Sequence, residues 1–413
     1  METRTIQQWR LVISLFVGWA FYYACRKTFT STMPHLMKHK GYTEKDLGMI
    51  ASSFSFAYGI NKLVCGVVAD HVSPKWLFCT GLLFSGILVI LFPFCHSSYM
   101  CAFLWAIAAL FQGSGWPAAS KLLKAWVPDR LGIAWSVISS SGNLAATCSP
   151  FIIAYITSTV SWDSNYYIIG GASCFLTLIL LFELKDKPES IEKVGGESSS
   201  SMRLVDILYV RSIWTVSLIY FILYMVKYAI TDWGQLYFMQ FLEVPEITAA
   251  TSVGLIQFGG IFGNIIWGYI SDKTIKIVPE RSKVSRAPAL MMSCACLMVC
   301  VILFATTLDK SSSQFWIDMV CFSTGIMLDG AVALIGLTAM SCVPDHLAST
   351  AHGFTCAFSQ VGSFLAGYPF SIIVSSYGWY AAYQTVSFCS LVMLLANFYL
   401  TYLSFQTVKF KSN

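Results

Sequence analysis

The sequence predicts an all-α integral membrane protein with twelve transmembrane helices, and three observations predict it. Of its 413 residues, 56% are hydrophobic and 11% charged, where a soluble globular domain carries about 25% charged residues. Its mean hydropathy is +0.65. The chain divides into twelve apolar runs close to the ~20 residues that cross a hydrocarbon core about 30 Å thick, and its basic residues collect in alternate loops between those runs.

The first run, 10–33, follows METRTIQQWR, which lacks the short apolar core and small-residue cleavage site of a removable signal; the first helix is therefore expected to stay in the mature chain. The second, 47–69, ends in CGVVAD, and the third, 76–95, begins after the turn HVSPK. The fourth, 99–122, contains GWP, where a proline kink is expected. The fifth, 132–158, and the sixth, 165–184, complete a first set. The second set lies at 211–238, 247–270, 288–307, 314–341, 351–375 and 379–405.

If the N-terminus is cytosolic, the tails and even-numbered loops hold eighteen of the twenty-six Lys and Arg residues, while the opposite side holds only Lys38, Lys40, Lys45 and Lys310. The positive-inside rule then predicts that both termini are cytosolic. Basic loops beside an anionic leaflet account for the net charge of +5, so the lipid bilayer is the expected partner and no nucleic acid is needed. All fourteen cysteines lie in or at the edges of apolar runs, with no CxxC pair and no His/Cys ligand spacing; neither a disulfide framework nor a metal site is expected. Cys95 and Cys101 flank one short loop and form the pair that an oxidising lumen would let bridge.

KDKPESIEKVGGESSSSMR, residues 185 to 203, is charged, then Gly/Ser-rich, and has no hydrophobic periodicity. It reads as a cytosolic linker over 185–205, between a six-helix bundle at 1–184 and another at 206–413. The halves repeat. RLVISLFVGWAFYYACR, Arg10 to Arg26, matches RSIWTVSLIYFILYMVK, Arg211 to Lys227, base to base, and CGVVAD, Cys65 to Asp70, matches WGYISD, Trp267 to Asp272, at nearly the same offset. Parallel six-helix halves are a transporter architecture whose substrate site lies between the halves near the bilayer midplane.

Four basic residues belong to no loop: Arg26, Lys27, Lys62 and Lys227. Each costs roughly 2.5–3.5 kcal/mol at a helix centre, which predicts that all four face the bundle interior or water. Helical spacing places Trp19, Tyr22, Arg26 and Thr30 on one face, Ser55, Tyr58 and Lys62 on another, and Tyr220, Tyr224, Lys227 and Thr231 on a third. The spans contain few acids to neutralise these bases permanently. A visiting phosphate monoester, carrying about −1.5 to −2 charges at pH 7, would match one base from each half. Asp232, five residues past Lys227, and Asp329, in the tenth run, are the two acids that could pair with Lys227 in its place.

YYACRKTF (Tyr22 to Phe29), SFAYGINKLVCGVVAD (Ser55 to Asp70), FQGSGWPAASKLLKAW (Phe111 to Trp126), TDWGQ (Thr231 to Gln235) and GSFLAGYPFS (Gly362 to Ser371) resemble the organophosphate:phosphate antiporters of the major facilitator superfamily. The resemblance spans all twelve runs and is strongest to the branch found in the endoplasmic reticulum. It implies a major facilitator fold of two pseudo-symmetric six-helix halves, with no cofactor. The implied substrates are a sugar phosphate, glucose 6-phosphate in that branch, and inorganic phosphate. It also implies multi-pass residence in the reticulum membrane, where the carrier would serve a lumenal glucose-6-phosphatase. Arg26 matches the family's essential first-helix arginine and Lys62 its second-helix lysine. Lys227 matches a seventh-helix base that is arginine in bacterial members and lysine in the reticulum branch. Gly66 with Asp70, and Gly268 with Asp272, match the loop motif that holds the cytosolic gate.

Departures from the pattern fall in three places. HVSPK leaves Lys75 as the main base of a turn that is usually richer in Arg and Lys; Gly142 stands where bacterial members carry a histidine, although Asn143 stays; and Asp329 replaces an expected tyrosine. The C-terminal KFKSN, with Lys409 and Lys411, resembles a dilysine retrieval signal.

Tyr23, Tyr58, Trp116, Asn143, Tyr224 and His352 are further candidate substrate contacts, and Thr355, Ser359 and Ser363 share a face with His352. For the small hydroxyls, ordinary helix packing is the rival reading. A membrane phosphatase is disfavoured, because the sequence offers no nucleophile with a partnered base, no metal cluster and no nucleotide-binding glycine loop. A sugar-phosphate sensor using the same pocket, and an antiporter for another ester such as glycerol 3-phosphate, are the alternatives.

Overall fold

The computed structural model describes residues 2–127, 131–186, 209–275, 286–343 and 348–406, which form helices joined by short turns, without a strand. The chain separates into two compact units, 1–197 and 198–413.

The first unit contains α1 (Glu2–Lys40), α2 (Glu44–His71), α3 (Pro74–Leu91), α4 (Ser98–Gln112), α5 (Gly115–Trp126), α6 (Leu131–Thr159) and α7 (Ser164–Glu183). Local chemistry sets several of the ends. Gly41 takes the left-handed conformation at φ 66°, and its N–H closes onto the Met37 carbonyl at 3.1 Å, which terminates α1. Ser73 caps α3 by accepting from the Trp76 N–H at 3.3 Å, with Pro74 at the first helical position. Ser97 caps α4 in the same way through the Met100 N–H. The fourth crossing is split into α4 and α5 at Gly113–Ser114, just ahead of the expected proline kink.

The second unit contains α8 (Arg211–Thr231), α9 (Gly234–Gln240), α10 (Glu246–Ile275), α11 (Ala287–Thr307), α12 (Gln314–Ser341), α13 (Ala348–Leu365) and α14 (Tyr368–Gln406). Asp232 and Trp233 interrupt the seventh crossing between α8 and α9. The eleventh is interrupted before Tyr368, and Gly378, at φ 80° and ψ 173°, bends α14 where the eleventh crossing gives way to the twelfth. With these breaks joined, the described helices form the twelve crossings read from the sequence.

Within each unit the same pairs of crossings pack most extensively. In the first they are second with fourth (α2, α4), third with sixth (α3, α7) and first with fifth (α1, α6); in the second they are eighth with tenth (α10, α12), ninth with twelfth (α11, α14) and seventh with eleventh (α8, α13). The repeat seen in sequence is thus also a repeat of internal packing. Each unit also has a buried aromatic cluster. In the first, Phe92 stacks on Tyr166 at 5.0 Å beside Phe29 and Trp105; in the second, Tyr237, Phe304, Trp379 and Tyr383 interlock, with Tyr237 and Tyr383 4.6 Å apart. Cys95 and Cys101 are free thiols, both buried, and the Cys101 Sγ lies 3.4 Å from the Tyr42 hydroxyl.

Most of the linker, from residue 187, and the KFKSN tail with Lys409 and Lys411 lie outside the described residues.

Candidate substrate site

In the first unit, α1 and α2 place Arg26, Tyr58 and Lys62 in a single row. The Arg26 guanidinium lies 4.9 Å from the Phe54 ring centre; Phe54 stacks on Tyr58 at 5.8 Å; and the Lys62 ammonium lies 5.2 Å from Tyr58. Phe54, Tyr58 and Lys62 are four residues apart on α2, so helical geometry alone aligns them. An aromatic face stabilises a desolvated cation without neutralising its charge, which an anion can still meet. Sequence reasoning finds both bases and Tyr58 but misses Phe54, whose signal is the same four-residue spacing. Lys27, one position along, is 5% exposed.

A second group gathers around Trp19. Its indole lies 4.9 Å from Trp116 and 5.7 Å from Tyr23. At Gly142 an added Cβ would come within 2.9 Å of the Tyr23 ring and 3.2 Å of the Trp19 nitrogen. The space that a side chain at 142 would need is filled by these aromatics. Asn143, the next residue on α6, is half-buried. Tyr22, assigned by spacing to the Arg26 face, is instead a core residue; it is 2% exposed, and its hydroxyl donates to the Phe78 carbonyl at 2.7 Å, fastening α1 to α3.

In the second unit, Lys227 Nζ donates to Asp329 Oδ1 at 2.5 Å, with side-chain exposures of 18% and 5%. Of the two acids considered for this role, Asp329 pairs directly with Lys227, and Asp232 stands at the C-cap position of α8. Tyr220, Tyr224 and Tyr228 run along α8 edge to face, at 5.1 and 5.8 Å. His352 stands beside Tyr220, with Cys356 3.5 Å from both its Nε2 and the Tyr220 hydroxyl. Tyr220 lies seven residues, roughly 10 Å of helix rise, before Lys227, so His352 belongs to a different level of the bundle. Thr355, Ser359 and Ser363 are buried, and each hydroxyl donates to a carbonyl on its own helix at 2.7 to 3.1 Å, as packing residues do.

Of the gate motifs, Gly66 and Asp70 lie on α2, and the Asp70 side chain is not among those described. Gly268 and Asp272 are described: Asp272 pairs with Arg286 at 3.0 Å, and Arg286 also donates to Ser271, joining the end of α10 to the start of α11. The turn HVSPK has an acid of its own. Asp186 accepts from the Ser73 hydroxyl at 2.6 Å and the Lys75 N–H at 2.9 Å. Among the described residues, no three His, Cys, Asp or Glu side chains gather as a metal site. The candidate groups are cations, phenols and indoles, which suit an anion carrying hydroxyls.

Twelve crossings with repeated packing, and bases held inside apolar spans, define a multi-pass membrane protein of the carrier type. Residues 15–367 match the Major Facilitator Superfamily model, and the chain belongs to that family. It is 31% identical to a probable hexose phosphate transport protein of Chlamydia pneumoniae, over 94% of this chain and 90% of the relative. It is 27% identical to the membrane sensor protein UhpC of Salmonella typhimurium, over 92% and 88%, and 26% identical to the glycerol-3-phosphate transporter of Bacillus subtilis, over 93% and 90%. Among solved structures, a single-site mutant of the nucleoside transporter NupG shares the fold with a TM-score of 0.77 at 15% identity, covering 95% of this chain and 99% of that one.

Proposed function

We propose that the chain exchanges a sugar phosphate, glucose 6-phosphate, for inorganic phosphate by alternating access across the endoplasmic reticulum membrane, from cytosol to lumen. The observation that carries this reading is the row Arg26, Phe54, Tyr58, Lys62, in which two cations are held against aromatic faces within apolar helices. A phosphate dianion brings the charge and the acceptor oxygens that suit such a row. The hexose phosphate and glycerol-3-phosphate relatives agree with a phosphate-ester ligand. The choice of ester and of compartment rests on the resemblance to the reticulum branch and on the dilysine-like tail.

In this reading Arg26 and Lys62 from one half and Lys227 from the other receive the dianion. Tyr23, Trp116, Asn143, Tyr224 and His352 meet the sugar, and Asp70 and Asp272 hold the gate. The loaded carrier then crosses more readily than the unloaded one, which makes exchange obligatory. A lumenal glucose-6-phosphatase would consume the delivered ester.

The test is counterflow of labelled phosphate in proteoliposomes, competed by a panel of sugar and triose phosphates. Arg26→Ala should abolish exchange with the protein still inserted. Lys227→Arg should retain more activity than Lys227→Ala, although the guanidinium fork is not equivalent to an ammonium. Normal uptake by Arg26→Ala would refute the assignment. The sensor relative favours a second reading, ligand binding without flux, and the same experiment separates the two.

A further inference from the structure

We propose that Asp329 is the resident counter-ion of the anion site, a positioning residue that acts through Lys227 to set how tightly a phosphate is held and to exclude singly charged ligands. The inference rests on the reading that Lys227 receives the phosphate.

Both members of the pair would be costly alone in an apolar bundle, and together they neutralise each other at 2.5 Å. They are not equally free to move. Asp329 is 4% exposed as a residue, between the buried Leu328 and Gly330 on α12. Across from it α10 approaches closely: a Cβ at Gly259 or Gly263 would collide with the α12 backbone, and one at Gly260 would land on the Asp329 carboxylate itself. At Gly330 the Trp267 indole occupies the place of a side chain. The carboxylate is boxed in. Lys227 carries its charge on a flexible four-carbon stem and is the more exposed partner. An incoming phosphate therefore draws the ammonium away, and Asp329 stays where it is.

Two consequences follow from a fixed carboxylate. Leaving it unpaired and buried is unfavourable, so each binding event is weakened, and the carboxylate recaptures Lys227 as the phosphate departs, which speeds release. A monoanion offers Lys227 no more charge than Asp329 already does, whereas a phosphate dianion offers more. Selectivity for doubly charged ligands then comes from competition with an internal acid.

The test uses the full chain in proteoliposomes with labelled inorganic phosphate. Asp329→Asn is expected to lower KM for phosphate by about tenfold or more, the scale of one hydrogen bond to a charged group, and to lower the maximal exchange rate. Asp329→Ser, which removes the charge with a smaller side chain, should move KM in the same direction. It also decides the matter if Asp329→Asn is not recovered folded. Dimethyl phosphate, a monoanion, should inhibit exchange by Asp329→Asn but not by the wild type. In a Lys227→Gln background, Asp329→Asn should leave KM unmoved. A KM that rises or stays constant in both Asp329→Asn and Asp329→Ser, or one that falls equally without Lys227, overturns the role of Asp329. A wild-type chain that exchanges no phosphate overturns the transport reading itself.

Discussion

At the scale of single residues, the site candidates that sequence reveals are those whose cost is visible without coordinates. Arg26, Lys62 and Lys227 interrupt apolar runs, and a charge in such a run demands an explanation. Partner choice is not legible in the same way. Sequence offers both Asp232 and Asp329 to Lys227, and it is the packing of α8 against α12 that brings Asp329, 102 residues away, into direct contact. Phe54 escapes notice because an aromatic residue in a membrane span needs no special account. Its position beneath Arg26 gives it one. If the aromatic row holds the two cations, Phe54→Leu and Tyr58→Leu should each raise KM for phosphate several-fold, in line with the roughly 0.5–2 kcal/mol of a partly desolvated cation–π contact. The counterflow assay measures this directly. An unchanged KM in both variants would reduce the row to packing.

At the scale of elements, the twelve crossings are legible because length and hydropathy are additive along a chain. Their breaks are less so. The fourth crossing contains Gly113, Gly115 and Pro117 and announces its interruption, but the seventh breaks at Asp232 and Trp233, with only Gly234 to mark it. What stabilises that break is tertiary: the Trp233 indole donates to the Ala366 carbonyl at 2.8 Å, tying the break in the seventh crossing to the break in the eleventh. The turn HVSPK likewise looks underprovided when read alone. Asp186, more than a hundred residues away, completes it by accepting from Ser73 and from the Lys75 N–H at the half-buried start of α3. Asp186→Ala removes these two bonds from a helix N-terminus and is expected to cost about 0.5–2 kcal/mol, as lost caps do. The thermal midpoint of the detergent-solubilised protein should fall by a few degrees while KM for phosphate holds, since Asp186 touches none of the candidate ligand groups. A changed KM with an unchanged midpoint would move this acid from the scaffold to the transport cycle.

At the scale of the whole molecule, duplication is read from two short matches in register, and the structure extends it to the three dominant packing pairs of each unit. Neither of the matching stretches encodes those pairs explicitly; they emerge only when each set of six spans packs. Orientation is a separate matter, set by charge outside the spans. Eighteen basic residues on one side against four on the other is a large bias, and on that ground we propose that the 185–205 linker and both tails are cytosolic. In sealed microsomes with their cytosolic face outward, added protease should therefore cut within the linker and remove a C-terminal tag, while a tag inserted in the 308–313 loop stays protected until detergent is added. If the tail also acts as a retrieval signal, replacing Lys409 and Lys411 together with alanine should shift the protein out of the reticulum without altering its cleavage pattern or exchange rate, because the replaced charges are only two of eighteen and lie beyond the last crossing. Protection of the linker would invert the proposed topology, and an unchanged distribution of the double-alanine variant would show that the tail is not a retrieval signal.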